Sequence, residues 1–136
     1  VLAAGAAGAW VGTAFLACPE SQSSEAARAR IFGALGTDTA YGRVFDVAMG
    51  LGWPPEYGGR ALRNAFFDRW EGREDGLADD PAALAGFWAA VRARDFDTAY
   101  LYAGQGIGML DRERPAAEVV ADLGRADDLL RAAAGL

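Results

Sequence analysis

Neither lysine nor histidine is present in this 136-residue sequence to serve as a base or nucleophile. All 13 basic residues are Arg, and the absence of Lys and His excludes a lysine Schiff base and an imidazole base from this segment. The lone Cys18 has no Cys or His with which to form a disulfide or a metal site. Glu20 and Glu25 stand where acids commonly stabilise the first turn of a helix. No catalytic residue and no metal ligand is therefore predicted in this chain.

The pair Gly12-Thr13 is the first motif with chemistry of its own. A glycine lets the backbone approach an anion closely, and its N–H and a Thr hydroxyl can both donate hydrogen bonds. In (β/α)₈ barrels a common phosphate site uses the loops after the last two strands. Close packing inside a buried strand is the simpler interpretation of the pair, and a phosphate site is the functional alternative.

A second glycine-bearing motif runs from Gly104 to Gly108 and contains Gln105. A dinucleotide-binding fingerprint would need a further glycine at position 109 and a helix directly after it. Met109 stands there instead, and four charged residues follow at 111–114. The motif therefore predicts a tight turn, or a loop whose N–H groups and Gln105 amide reach toward a ligand.

Alternating helices and strands are predicted to position the first motif. Residues 1–7 resemble the end of a helix that stops at Gly8, and residues 9–16 resemble a strand buried on both faces, as in a parallel sheet. Pro19 and the polar residues 20–24 end that strand and offer N-caps for the next helix. The apolar face of that helix repeats every four residues, at Ala27, Ile31 and Leu35. An α/β fold follows from this order.

The rest of the chain is predicted to be largely helix and loop. Alternation over 39–47 predicts a short strand, a Gly- and Pro-rich loop covers 50–59, and a helix is predicted over 60–70. Asp80-Pro81 is a strong helix start, because Asp can cap the helix and Pro suits its first position. A short apolar run covers 98–103.

A last helix is expected from about Pro115, with a weak point at Gly124. The chain is accordingly divided into three parts. Residues 1–36 hold the last strand of a barrel and its helix, residues 37–110 hold an extended helical and loop segment ending in the glycine-rich turn, and residues 111–136 hold the C-terminal helix.

Composition limits the classes of function. The chain is 52% hydrophobic and 24% charged, as ordinary folded proteins are, and its net charge of −6 opposes nucleic acid as a partner. Residues 1–19 carry no charge, but they lack the basic start of an export signal and are too rich in Gly for a membrane span. A cytoplasmic protein without a membrane segment is expected. The start at Val1, without Met, suggests a piece of a longer protein.

Three stretches in the same order resemble the nitronate monooxygenase family, formerly called 2-nitropropane dioxygenases. Residues 8–21 resemble the segment that closes the family's barrel, and residues 59–66 resemble its arginine-rich segment ending in Asn and an aromatic. Residues 103–108 resemble its late Ala-Gly-Gln turn. The resemblance implies the C-terminal part of a flavin-binding TIM (β/α)₈ barrel with additional helices.

The resemblance also implies bound FMN and a set of residues that hold it. The phosphate would be held at Trp10, Val11, Gly12 and Thr13, through the backbone at Trp10 and Val11, while Gln105 would lie near the flavin or its entrance. In this family the flavin accepts electrons from an alkyl nitronate, and an upstream histidine is thought to act as base in many members. That histidine would lie outside this chain.

Two other functions fit the same residues. An NAD(P)H-dependent FMN reductase of quinones or enoyl thioesters would share the phosphate-binding end. A non-catalytic helical domain would use Trp53, Trp70, Phe87 and Trp88 only as core or partner face, since aromatic residues at helical spacing are more often core. The substrate, any use of NAD(P)H and the oligomeric state are not fixed by the sequence.

Overall fold

Short helices and one two-stranded sheet make up the computed structural model, which describes residues 1–135. Strands β1 (Thr39–Gly42) and β2 (Gly59–Leu62) pair antiparallel, with Gly42 opposite Gly59. The α-helices are, in order, α1 Thr13–Leu16, α2 Glu25–Phe32, α3 Val44–Ala48, α4 Ala65–Trp70, α5 Glu74–Ala78, α6 Pro81–Ala93, α7 Ala116–Gly124 and α8 Ala126–Ala134. Short 3-10 helices span Leu2–Ala4, Gly36–Asp38 and Gln105–Met109. Helices and strands are mixed as an α/β fold requires, without a parallel sheet among the described residues.

The strand predicted over residues 9–16 is wrong. Residues 8–12 have no regular structure and α1 begins at Thr13, with Gly12 as its N-cap. A strand needs neighbours that accept and donate its backbone hydrogen bonds, and no described strand lies beside this segment. The helix end predicted for residues 1–7 is also shorter than expected, because the 3-10 helix stops at Gly5, whose φ of 89° is left-handed.

The segment after α2 contains the antiparallel pair of strands β1 and β2, which we call the hairpin. The sequence predicted this segment only in part. The predicted strand over 39–47 ends at Gly42, and its second half is α3. The helix predicted over 60–70 was wrong in its first half, where β2 runs to Leu62. Asn64 accepts from Phe67 N–H at 2.9 Å, so α4 begins only at Ala65. Asn is among the best N-cap residues, which explains the late start.

The two facing glycines let aromatic rings lie directly on the hairpin. A Cβ at Gly59 would stand 2.1 Å from Tyr102 Cε1, and one at Gly42 would stand 2.8 Å from Phe67 Cζ. The segment that carries Tyr102 follows β2 on its other side, with Leu62 N–H donating to Leu101 O and Ala103 N–H to Arg60 O. The apolar run predicted over 98–103 thus lies beside β2, joined to it by a single bridge between Tyr102 and Ala61.

Two local predictions about helix starts are confirmed. Asp80 caps α6 by accepting from Ala83 N–H at 2.9 Å, and Pro81 is the first helical residue. Ser24 caps α2, which buries Ala27 and Ile31. That helix ends at Phe32, so Leu35 lies outside it and is exposed.

The aromatic residues divide between core and surface. Phe87 is fully buried and Trp70 nearly so, in a cluster with Phe45, Phe66 and Phe67. Trp53 and Trp88, predicted for the same core or face, are 60% and 39% exposed. The chain therefore has a helical core, and Trp53 does not belong to it.

The C-terminal helix is divided into α7 and α8. The break follows Gly124, where the sequence predicted a weak point. Val119 of α7 is buried, whereas Leu123 is 45% exposed. Leu136, the last residue of the predicted helical segment, lies outside the described residues.

Candidate functional site

The two glycine-bearing motifs meet, although 91 residues separate them. Gly104 N–H donates to Thr13 Oγ1 at 2.8 Å. A Cβ at Gly104 would stand 3.4 Å from that same oxygen, at van der Waals contact. The contact brings the start of α1 and the glycine-rich turn into one site.

A small apolar cluster holds this contact in place. Ala17 follows α1, and Ala103 and Ile107 flank Gly104; all three are buried with Ile31 and Leu62. On its other side the glycine-rich turn lies against Gly36, where a Cβ would stand 2.5 Å from Gln105 O. Because backbone rather than flexible side chain fills that space, the turn is fixed against its neighbour.

The site offers hydrogen-bond donors that the described residues leave unused. Within residues 1–135 no acceptor is found for the N–H groups of Trp10, Val11, Gly12 and Thr13. The Thr13 oxygen accepts from Gly104, which leaves its own proton for a further acceptor. No atom lies within 4 Å of a Cβ built at Gly12, so the backbone there is open to approach. Neutral donors at an open backbone suit an oxyanion such as a phosphate.

The predicted residues contribute to this site in different ways. The Trp10 side chain is fully exposed, and Val11 is half-buried and has only its backbone to offer. Gln105 adjoins Gly104 and its side chain is exposed, with no hydrogen bond to the described residues. The structure brings Thr13 and Gly104 together and places Gln105 beside them.

Three other side chains that could react are Glu20, Glu25 and Cys18, and the structure gives none of them a catalytic setting. Glu20 was interpreted as a first-turn acid, but both its carboxylate oxygens accept from Ala116 N–H at 3.1 Å, so it stabilises the start of α7. Glu25 does lie in the first turn of α2. Burial, followed by the charge of Glu20, raises the pKa of the Cys18 thiol. A thiol that stays protonated is a poor nucleophile.

A second polar cluster was missed by sequence reasoning. Tyr102 donates its hydroxyl proton to Asp46 Oδ1 at 2.5 Å, and Gly59 N–H donates to Asp46 Oδ2 at 3.1 Å. Burial, then the hydrogen bond to Asp46, raises the pKa of Tyr102. The two residues are 56 positions apart, and only folding reveals the pair.

The fold of this chain is similar to that of two solved structures. It is similar to FabK from Thermotoga maritima, with a TM-score of 0.63 and 20% identity over 91% of this chain and 38% of that chain. It is also similar to a point mutant of FabK from the same organism, with a TM-score of 0.60 and 23% identity. That match covers 91% of this chain and 35% of the mutant chain. The chain thus spans less than two fifths of the length of these proteins.

The family model described as nitronate monooxygenase matches residues 1–125. The chain therefore belongs to the nitronate monooxygenase family, a family of FMN-dependent oxidoreductases. No curated protein matches it. None of the helices within residues 1–135 has the length and apolar character needed to cross a membrane.

Proposed function

We propose that this chain supplies part of the FMN phosphate site of an enzyme that oxidises alkyl nitronates. The observation that carries the proposal is the family match over residues 1–125, which includes both glycine-bearing motifs. The meeting of those motifs at Thr13 and Gly104 supports it, because two segments far apart in sequence form one donor-rich site.

The donor set at this site fits a phosphate monoester. We assign the phosphate contacts to the backbone N–H groups of residues 10–13 and to the Thr13 hydroxyl, which Gly104 holds by occupying one of its acceptor positions. Gln105 would contribute its exposed amide near the flavin or its entrance. When bound, FMN supplies the electron acceptor, and this chain's own residues hold and orient it.

The catalytic base is proposed to come from elsewhere in the protein. This chain has no His and no Lys, and the buried Asp46 already accepts two hydrogen bonds. Residues 1–135 therefore bind and position the cofactor and leave proton transfer to other groups.

Steady-state assays of the full-length protein test the activity. Oxygen uptake with an alkyl nitronate, in the absence of NAD(P)H, is the expected result. NADH oxidation with a quinone or an enoyl thioester, without nitronate-dependent oxygen uptake, would contradict nitronate oxidation. It would support the alternative function, an NAD(P)H-dependent FMN reductase. A full-length protein that binds no flavin would contradict both.

A further inference from the structure

An apolar cavity of about 560 Å³ opens beside the hairpin, and none of the residues that line it belongs to the Thr13 site. Leu51, Trp53 and Tyr57 come from the loop between α3 and β2, and each is 45–60% exposed. Asp46 and Tyr102 line its inner end together with the backbone at Gly58 and Gly59. We call this space the hairpin cavity.

The inner end of the hairpin cavity can accept hydrogen bonds but has none left to donate. Tyr102 gives its single proton to Asp46, and Gly59 N–H donates to the same carboxylate. Gly58 N–H donates to Tyr41 Oη at 2.8 Å. What remains at this inner end are the lone pairs of the carboxylate and of the phenol oxygen, which only a donor can satisfy. The indole N–H of Trp53 and the hydroxyl of Tyr57 belong to the exposed loop residues of the cavity.

The charge of the hairpin cavity favours the same class of ligand. Among the described residues that line it, Asp46 is the one charged side chain, and it is 6% exposed. Arg43 runs beside Gly58 but does not line the cavity. An anion would meet a buried carboxylate with no positive partner, which is costly, whereas aromatic walls tolerate or attract a cation.

We infer that the hairpin cavity binds an apolar organic group that presents an N–H or O–H donor, such as an arylalkyl ammonium or alcohol, and that it rejects the corresponding carboxylate. The apolar body would contact Leu51, Trp53 and Tyr57, and its donor would reach the acceptors of Asp46 and Tyr102. This site is independent of the proposed flavin function.

Three probes that share a benzyl group and differ in the attached polar group test the inference. Benzylammonium, benzyl alcohol and phenylacetate are titrated into the full-length protein by isothermal calorimetry, and the flavin absorbance of every variant is recorded as a separate readout. We expect benzylammonium to bind at least about tenfold tighter than phenylacetate, as a charge-assisted hydrogen bond implies. Benzyl alcohol should lie between them.

Variants assign the preference to named side chains. Asp46→Asn should remove most of the difference between benzylammonium and phenylacetate, while Tyr102→Phe, which keeps the carboxylate, should retain it. Trp53→Ala should weaken all three probes. Trp88→Ala, a partly exposed tryptophan outside the cavity, is the matched control and should leave them unchanged.

Equal binding of phenylacetate and benzylammonium would overturn the inference, and so would the absence of any probe binding at millimolar concentration. If Asp46→Asn fails to fold by circular dichroism, the comparison of Trp53→Ala with Trp88→Ala decides instead. If Trp53→Ala and Trp88→Ala change probe affinity equally, the assignment of probe binding to the hairpin cavity is contradicted. Loss of flavin with probe binding intact would count against the proposed function alone.

Discussion

Replacing Thr13 by Val tests the contact between the two glycine-bearing motifs. Val keeps the branched shape of the side chain but removes the oxygen that accepts from Gly104 N–H at 2.8 Å. An N–H left without a partner costs about 1–3 kcal/mol. Because this contact is only partly buried, water can reach the freed group, and we expect the lower end, about 1 kcal/mol.

Urea unfolding followed by circular dichroism measures this loss. With a typical slope of about 2 kcal/mol per molar urea, a loss of about 1 kcal/mol lowers the midpoint by about 0.5 M. Thr13→Ser keeps the hydroxyl and should stay near the parent protein. Thr37→Val makes the same change at an exposed threonine and is the control. If Thr13→Val unfolds at the parent midpoint, the contact does not stabilise the site and our reasoning is refuted.

Three further changes test the packing and electrostatics of the fold. Gly59→Ala should destabilise by about 1–3 kcal/mol, as overpacking does, because its Cβ would stand 2.1 Å from the Tyr102 ring; urea midpoints measure this. Asn64→Ala should cost about 2 kcal/mol in the same assay, since it removes the cap on α4 and the bonds from Nδ2 to Phe96 O and Ala99 O. Unfolding as a function of pH should show stability falling above about pH 10, where unfolded tyrosine loses its proton while Tyr102, with its raised pKa, keeps it.

Each of these predictions has its own control. Gly86→Ala lies in α6 with open space around its Cβ and should stabilise by about 0.5–1 kcal/mol, so equal effects at Gly59 and Gly86 would contradict the packing argument. Asn64→Asp should keep the cap but lose the Nδ2 bonds; full stability in Asn64→Ala would refute the assigned role. The alkaline decline should be smaller in Tyr102→Phe, and an unchanged decline would assign it to other groups.

The sequence predicted features that depend on neighbouring residues. Asp80 and Ser24 start helices through hydrogen bonds made within one turn, so helix starts near them could be predicted. The residues at 9–16 have the composition of a buried strand, but pairing depends on distant segments, and the chain forms α1 there. The local sequence pattern therefore predicted the capped helices. It failed for residues 9–16, because the structure of a strand depends on pairing with distant segments.

The candidate site shows the same division. Gly12, Thr13 and Gln105 were predicted as site residues because glycine, hydroxyl and amide chemistry is visible in the sequence and the family resemblance implied their role; that role stays a prediction. The hydrogen bond that joins Thr13 to Gly104 could not be predicted, since 91 residues intervene. The Asp46–Tyr102 pair gave no signal at all, because a buried carboxylate is recognised only from its surroundings.

The affinity of the flavin-stripped full-length protein for FMN relative to riboflavin tests the central claim most directly, because riboflavin lacks only the phosphate. We expect FMN to bind tighter than riboflavin by on the order of 100-fold, as a few hydrogen bonds to a charged group imply. Thr13→Val should lower the affinity for FMN and leave the affinity for riboflavin unchanged, so that the ratio of the two affinities becomes smaller. Equal affinity for the two flavins, or the same ratio in Thr13→Val and the parent, would contradict a phosphate site at Thr13 and Gly104.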